Sequence, residues 1–295
     1  MKTLACLFCL CLLGAIAAAQ TGTLLQFKAV EHVIDESGHP IVGALAIIGY
    51  YTNSQSVTSE KITGTNGVFE FQDTSPSEYA DYSFEARKDG YYSIWQQVNL
   101  QSPYDPAKWN VEKTLVLKKV EKPIAMYAKK YVMGLKLPEY NKQIGFDLMI
   151  GDFVGPYGKG INSDILFTEN HPDEKSGYTF TIGFPKEGDG IQEFTLPDTE
   201  KGSGLRSPHE APVDGYQPKQ EQTQMPDPNR NYFFRVRTVK DHEGNIVSAH
   251  YGKIYGDFMQ FTYYLNPTPN DRNIEFDPKQ NLLTGLDPLE RVTAP

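Results

Sequence analysis

From Leu24 to Val120 apolar and polar residues alternate with a period of two, in short runs separated by turn residues. In the first run, Leu24 to Ile34, Phe27, Ala29 and Glu31 fall on one face and Val30, His32 and Ile34 on the other. Ile41 to Tyr51 is rich in Ile, Val and Tyr and reads as a second strand. A short strand follows at Ser59 to Thr63. The Asn66-Gly67 hairpin signal then leads into Val68 to Phe71. Asp81 to Lys88 alternates cleanly, with Tyr82, Phe84 and Ala86 against Ser83, Glu85 and Arg87. Tyr91 to Leu100 and Val111 to Val120 complete the set. Asp35-Glu36-Ser37-Gly38 and Asp89-Gly90 supply turns in which short polar side chains bond their own backbone and glycine takes positive φ. About seven short strands with no helical period predict an antiparallel β-sandwich over residues 25–120.

The motifs within this stretch are Asp35, Gly38, Pro40, Ile41, Gly43 and Ala44; then Thr63, Gly64, Gly67, Phe69 and Phe71; then Gly90 with Tyr91. This pattern resembles the carboxypeptidase regulatory-like domain and covers about a third of the chain. The resemblance implies a transthyretin-like, carbohydrate-binding-like sandwich of seven strands. It implies no particular chemistry, because a fold does not fix a function. Thr65 and Asn66 stand where the family's second hairpin usually carries an acidic residue, so one potential cation ligand is missing.

Beyond the Glu121-Lys122-Pro123 linker the pattern is less regular, and a second β-rich domain is predicted over residues 124–285. Tyr127 to Leu137 reads as a strand or a short helix. Strands are predicted at Gln143 to Phe153, Ser163 to Glu169, Tyr178 to Phe184, Tyr232 to Val239, Ile246 to Tyr255 and Phe258 to Leu265. Leu196 to Arg230 carries Pro197, Pro208, Pro212, Pro218, Pro226 and Pro228, and is predicted to be a long loop that either wraps the surface or separates two parts. Residues 286–295 are expected to fray. The fold class is therefore all-β.

Composition adds a location. Met1-Lys2, the apolar run from Leu4 to Ile16 and Ala17-Ala18-Ala19 form a signal peptide over residues 1–19. Export to the periplasm, cell surface or medium follows, leaving about 275 residues. Cys6, Cys9 and Cys11 all lie in the signal, so the mature chain has no disulfide, thiolate metal site or catalytic cysteine. That absence fits a bacterial exported protein better than an animal one. The formal charge of −9 argues against nucleic-acid binding, which needs basic patches. No later run approaches the roughly 18 apolar residues of a membrane helix, so no membrane contact is expected after cleavage.

Catalytic patterns are thin. His171-Pro172-Asp173-Glu174 reads H-x-x-E, with His209, His242 or His250 as distant partners, but in a polar loop it is read as an exposed turn. Gly202-Ser203-Gly204 has no base beside it. Asp147, Asp152, Asp164 and Asp257 offer carboxylate pairs, which an acidic chain supplies by chance. Asn266 to Asp277 could ligate Ca²⁺ through oxygens, although turn chemistry explains these residues more simply. No metal or cofactor is expected. The remaining lead is aromatic: Trp95, Trp109, Tyr92 and Tyr104 are the candidate ligand-binding residues, since sugar faces stack on such rings. Of the adjacent pairs Tyr91-Tyr92 and Tyr263-Tyr264, one ring each is expected outside the core. The preferred reading is a non-catalytic binding or structural module for polysaccharide or another cell-surface component; the alternative is an extracytoplasmic hydrolase of polysaccharide or peptide, acting through the C-terminal half.

Overall fold

The computed structural model describes residues 25–51, 56–75, 81–99, 110–170, 179–222 and 229–295. Strands β1 (Leu25–Asp35), β2 (Leu45–Tyr51), β3 (Ser56–Ile62), β4 (Val68–Ser75), β5 (Asp81–Arg87), β6 (Ile94–Asn99) and β7 (Val111–Leu117) form a seven-stranded sandwich. One sheet has the order β4-β1-β7, with β7 parallel to β1; the other has the order β3-β2-β5-β6. Alternation sets the core. Phe27, Ala29 and Val33 face Ala46, Ile48, Tyr50, Tyr82 and Phe84, and the Phe27 and Tyr50 rings stack at 4.2 Å. Full burial of a side chain of this kind contributes roughly 1.5–3 kcal/mol. The Asn66-Gly67 turn forms, with Gly67 at φ 68° where a Cβ would press on the Val33 carbonyl, but it closes no hairpin: β3 pairs with β2 and β4 with β1, so the turn carries the chain from one sheet to the other. Glu31 follows the same alternation into the core, where it is fully buried.

The second half is also all-β. Strands β8 (Ile124–Lys130), β9 (Ile144–Asp147), β10 (Asp152–Phe153), β11 (Ile165–Asn170), β12 (Thr179–Gly183), β13 (Gly190–Phe194), β14 (Lys219–Gln222), β15 (Asn231–Lys240), β16 (Ile246–Gly256), β17 (Phe261–Leu265) and β18 (Phe276–Asn281) make two sheets. These have the orders β10-β9-β11-β12-β14 and β13-β15-β16-β17-β8-β18. Between them lie Phe146, Phe167, Phe180, Tyr232, Phe234, Phe261 and Tyr263. The opposite face of the six-stranded sheet is covered too, burying Phe233, Tyr251, Tyr255, Tyr264 and Phe276. Tyr263 and Tyr264 are therefore both buried, against expectation, because β17 has a core on each side. The segment 127–137 is a strand in its first part and irregular after Lys130.

Over its described residues 196–222 the proline-rich stretch is a strap that docks both halves and ends in β14. Its residues 198–204 lie along the outer edge of β6: the Trp95 amide donates to the Gly202 carbonyl (3.2 Å) and the Gly204 amide to the Ser93 carbonyl (2.8 Å). Gln96 donates its carboxamide to the carbonyls of Asp198 and Lys201, each at 2.8 Å. Lys113 pairs with Asp198 and the buried Lys118 with Glu200, each at 2.7 Å. The strap thus covers a sheet edge that would otherwise offer unpaired amides and carbonyls. Further along, Ala211 and Tyr216 pack on the six-stranded sheet. The tail does not fray. Val292 is buried, Tyr264 donates its hydroxyl to the Ala294 carbonyl (3.1 Å), and the Lys130 amide donates to the Glu290 carbonyl (3.0 Å).

Candidate functional site

Of the four aromatic candidates, Trp109 and Tyr104 lie outside the described residues. Trp95 stands on the outer face of the β3-β2-β5-β6 sheet and is 49% exposed. Its strand neighbours Ile94 and Gln96 point inwards, so the period of two forces the indole out. Tyr92 goes elsewhere. It is half-buried, and its hydroxyl donates to Glu275 Oε1 at 2.7 Å across the junction of the two halves. Burial and then the bond to Glu275 push its phenol well above the ordinary value. The Glu275 carboxyl also accepts the amides of Glu121 (3.0 Å) and Lys122 (2.7 Å). Burial opposes its charge, yet these donors hold it below the usual carboxylate range.

The face around Trp95 is built in rows by strand register. Trp95 is opposite Glu85, Glu85 opposite Ile47, and Ile47 opposite Glu60. The next row is Gln97, Ser83, Gly49 and Thr58. On the other side, Arg87, Leu45 and Ile62 align, and Arg87 bonds Glu85. Gly49 leaves room for the half-exposed Tyr51 ring, which lies back along the strand; a side chain at 49 would overlap the Ser83 hydroxyl and crowd that ring. The result is one sheet face with an exposed indole, an exposed phenol and hydrogen-bonding groups between them. Tyr51 was not singled out from the sequence, although its place as the outward residue ending the β2 alternation marks it.

Comparison with known proteins adds little to this geometry. No protein-family model matches the chain, and no curated protein matches it. Chlorocatechol 1,2-dioxygenase from Pseudomonas putida aligns at 13% identity over 32% of this chain and 61% of its own, with a TM-score of 0.25. The chain thus spans under two thirds of that enzyme's length. A DUF3823 family protein from Parabacteroides merdae aligns at 9% identity over 86% of this chain and 99% of its own, with a TM-score of 0.22. The shaft pilin SpaA from Lactobacillus rhamnosus GG aligns at 13% identity over 58% of this chain and 90% of its own, with a TM-score of 0.23. Superpositions of this quality carry no functional conclusion.

The carboxylates that suggested catalysis are engaged in structure. Asp147 and Asp164 are joined by Arg237, whose Nε and Nη2 reach Asp164 at 2.7 and 2.9 Å and whose Nη2 reaches Asp147 at 2.9 Å. Arg237 sits at a register shift of β15 with a left-handed φ of 56°, which turns its side chain into this pair. Burial lifts the Asp164 carboxyl above its ordinary value despite Arg237. Asp147 is held below its own: burial opposes its charge, but the amides of Asn162 and Ile161 and the Arg237 charge outweigh it. Asp257 Oδ1 accepts the Met259 and Gln260 amides. From Asn266 to Asp277 the side-chain oxygens accept backbone amides: Asn266 that of Thr268, Asp271 that of Asn273, Asn273 that of Glu275 and Asp277 that of Lys279. They act as turn formers. The H-x-x-E segment lies outside the described residues. His209 lies between Glu36 and Glu275, His242 is exposed in a turn, and His250 bonds the Asn266 carbonyl.

Proposed function

We propose that the protein is an exported, non-catalytic binding module of the bacterial cell envelope whose ligand is polysaccharide or a related surface glycan. Its N-terminal sandwich is of carboxypeptidase regulatory-like type. The observation that carries this reading is the half-exposed Trp95 indole on an open sheet face that also carries Gln97, Glu85, Arg87, Thr58 and the Tyr51 ring. A sugar ring stacks its axial C–H groups on an indole, and neighbouring polar groups meet its hydroxyls. An open face of this kind suits an extended chain rather than a small molecule, because it grips by surface and not by enclosure. The engagement of Asp147 and Asp164 by Arg237 supports binding over hydrolysis. The test is retention of the mature protein on insoluble polysaccharides and glycan arrays, for the native chain and Trp95→Ala. Retention that falls in the variant supports the proposal; turnover of a glycan or peptide, or retention indifferent to Trp95, overturns it.

A further inference from the structure

The strap reaches the junction of the two halves at His209. Its backbone there is tied to the second half: the Ile274 amide donates to the His209 carbonyl (2.9 Å), and the Ala211 amide to the Arg272 carbonyl (2.8 Å). The imidazole is largely buried and meets a carboxylate at each ring nitrogen. Nε2 is 3.4 Å from Oε2 of Glu36, in the turn after β1 of the sandwich. Nδ1 is 3.4 Å from Oε2 of the fully buried Glu275, just ahead of β18. Glu36 Oε2 also accepts the Lys119 amide at 3.4 Å. Glu275 holds the sandwich through Tyr92 and the linker through the Glu121 and Lys122 amides. The charged neighbours of these residues along the chain are engaged elsewhere: Glu210 with Arg272 (2.5 Å), Asp35 with His39 (3.6 Å) and Lys118 with Glu200 (2.7 Å). From β16, Lys253 lies within electrostatic reach of Glu275 and donates to Ser207 Oγ at 3.2 Å.

We infer that His209 is a pH-sensitive clamp at this junction: its charged ring bridges Glu36 of the sandwich and Glu275 of the second half, and its neutral ring releases one of them. An imidazolium donates from both nitrogens, whereas a neutral imidazole has one N–H and presents a lone pair at the other nitrogen. Only the charged ring can therefore donate to both carboxylates. In the neutral form one carboxylate faces a lone pair, and the two anions have no cation between them. The clamp is made at low pH and lost as pH rises through the range in which the ring gives up its proton. Histidine is suited to this role, because it is the side chain whose ordinary charge change falls between about pH 5 and 8. Glu275 keeps its charge over that range: burial opposes it, but the Lys122 amide, the Tyr92 hydroxyl, the Glu121 amide and the His209 charge hold the carboxyl below its usual value. Two carboxylates on different ring nitrogens mark a bridging cation and not a shared metal ion. Among the described residues, no three His, Asp or Glu side chains are grouped to hold one.

Hydrogen exchange of the mature chain tests this at the Glu121 and Lys122 amides, which Glu275 holds. All proteins carry Glu31→Gln, because the buried Glu31 carboxyl, pushed up to about 9 by burial and then by the Glu85 charge, alters global stability over the same range. After correction for the intrinsic exchange rate, protection of the two amides is expected to be roughly tenfold higher at about pH 5.5 than at about pH 8, the size of one charge-assisted bond. His209→Gln keeps a donor but carries no titrating proton, and is expected to give equal protection at the two pH values. Glu36→Gln, in an exposed turn, is expected to shrink the difference severalfold and decides the matter if the His209 variant does not fold. Amides in the middle of β5 serve as the control for global unfolding. A pH difference that persists in His209→Gln or is undiminished in Glu36→Gln overturns the inference. So does one that is absent with His209 in place, or one of equal size in β5. The polysaccharide-retention experiment on Trp95 succeeds or fails independently of this exchange measurement.

Discussion

The Glu31→Gln substitution should remove a large part of the pH dependence of stability. Glu31 is fully buried on the inner face of β1, and neither of its carboxylate oxygens has a hydrogen-bond partner. Burial, and then the charge of Glu85, push its carboxyl up to about 9 from an ordinary 4.5. The folded chain therefore keeps a proton that the unfolded chain gives up. The stability from the neutral group is complete below about pH 4.5 and is lost as pH rises through the folded value. Between these limits the loss is about 1.4 kcal/mol per pH unit. From about pH 5.5 to 8.5 it amounts to about 4 kcal/mol, a large share of the roughly 5–15 kcal/mol that holds a domain together. The glutamine carboxamide keeps the shape of the carboxyl and carries no titrating proton. Urea denaturation at a series of pH values should show the native chain losing stability against the variant across this window, with the two closest at its acid end. Parallel curves for the two proteins would refute the burial of an unpaired, proton-holding carboxyl in this core.

Three further outcomes follow from the packing. Arg237→Met leaves the buried Asp147 and Asp164 with backbone amides but no guanidinium between them, and should cost about 3–5 kcal/mol in chemical denaturation. Gly202→Ala places a Cβ onto the Trp95 carbonyl at a φ of 79°, so the strap should lift from β6 and become cleavable in limited proteolysis while the sheets stay protected. Tyr92→Phe removes one donor from Glu275 and should cost about 1–2 kcal/mol. Because a depressed carboxyl stabilises above its unfolded value and loses that contribution as pH falls through the folded one, acid unfolding of this variant should begin at higher pH than in the native chain.

Legibility in the sequence followed the number of buried faces. In β5 one face is apolar and the other polar, so Tyr82, Phe84 and Ala86 declared their side, and Asn66-Gly67 declared its turn. In β15 and β17 both faces are covered, and runs such as Tyr232-Phe233-Phe234 and Tyr263-Tyr264 lose the alternation that assigns a face. The strap could be recognised by its prolines but not placed, because its anchors join residues about a hundred positions apart, such as Gln96 to Asp198 and Lys201. Trp95 was legible as a ring in an alternating strand. That Tyr92, three residues earlier, is drawn into the junction depends on Glu275, 183 positions away.

The most direct measurement is the retention of the mature protein and Trp95→Ala on a panel of insoluble polysaccharides, with circular dichroism to confirm that both are folded. Glycan binding by the outer sheet face predicts retention of the native chain on at least one polysaccharide and at least a severalfold loss in the variant. Equal retention of the two proteins, or none on any polysaccharide, would contradict it.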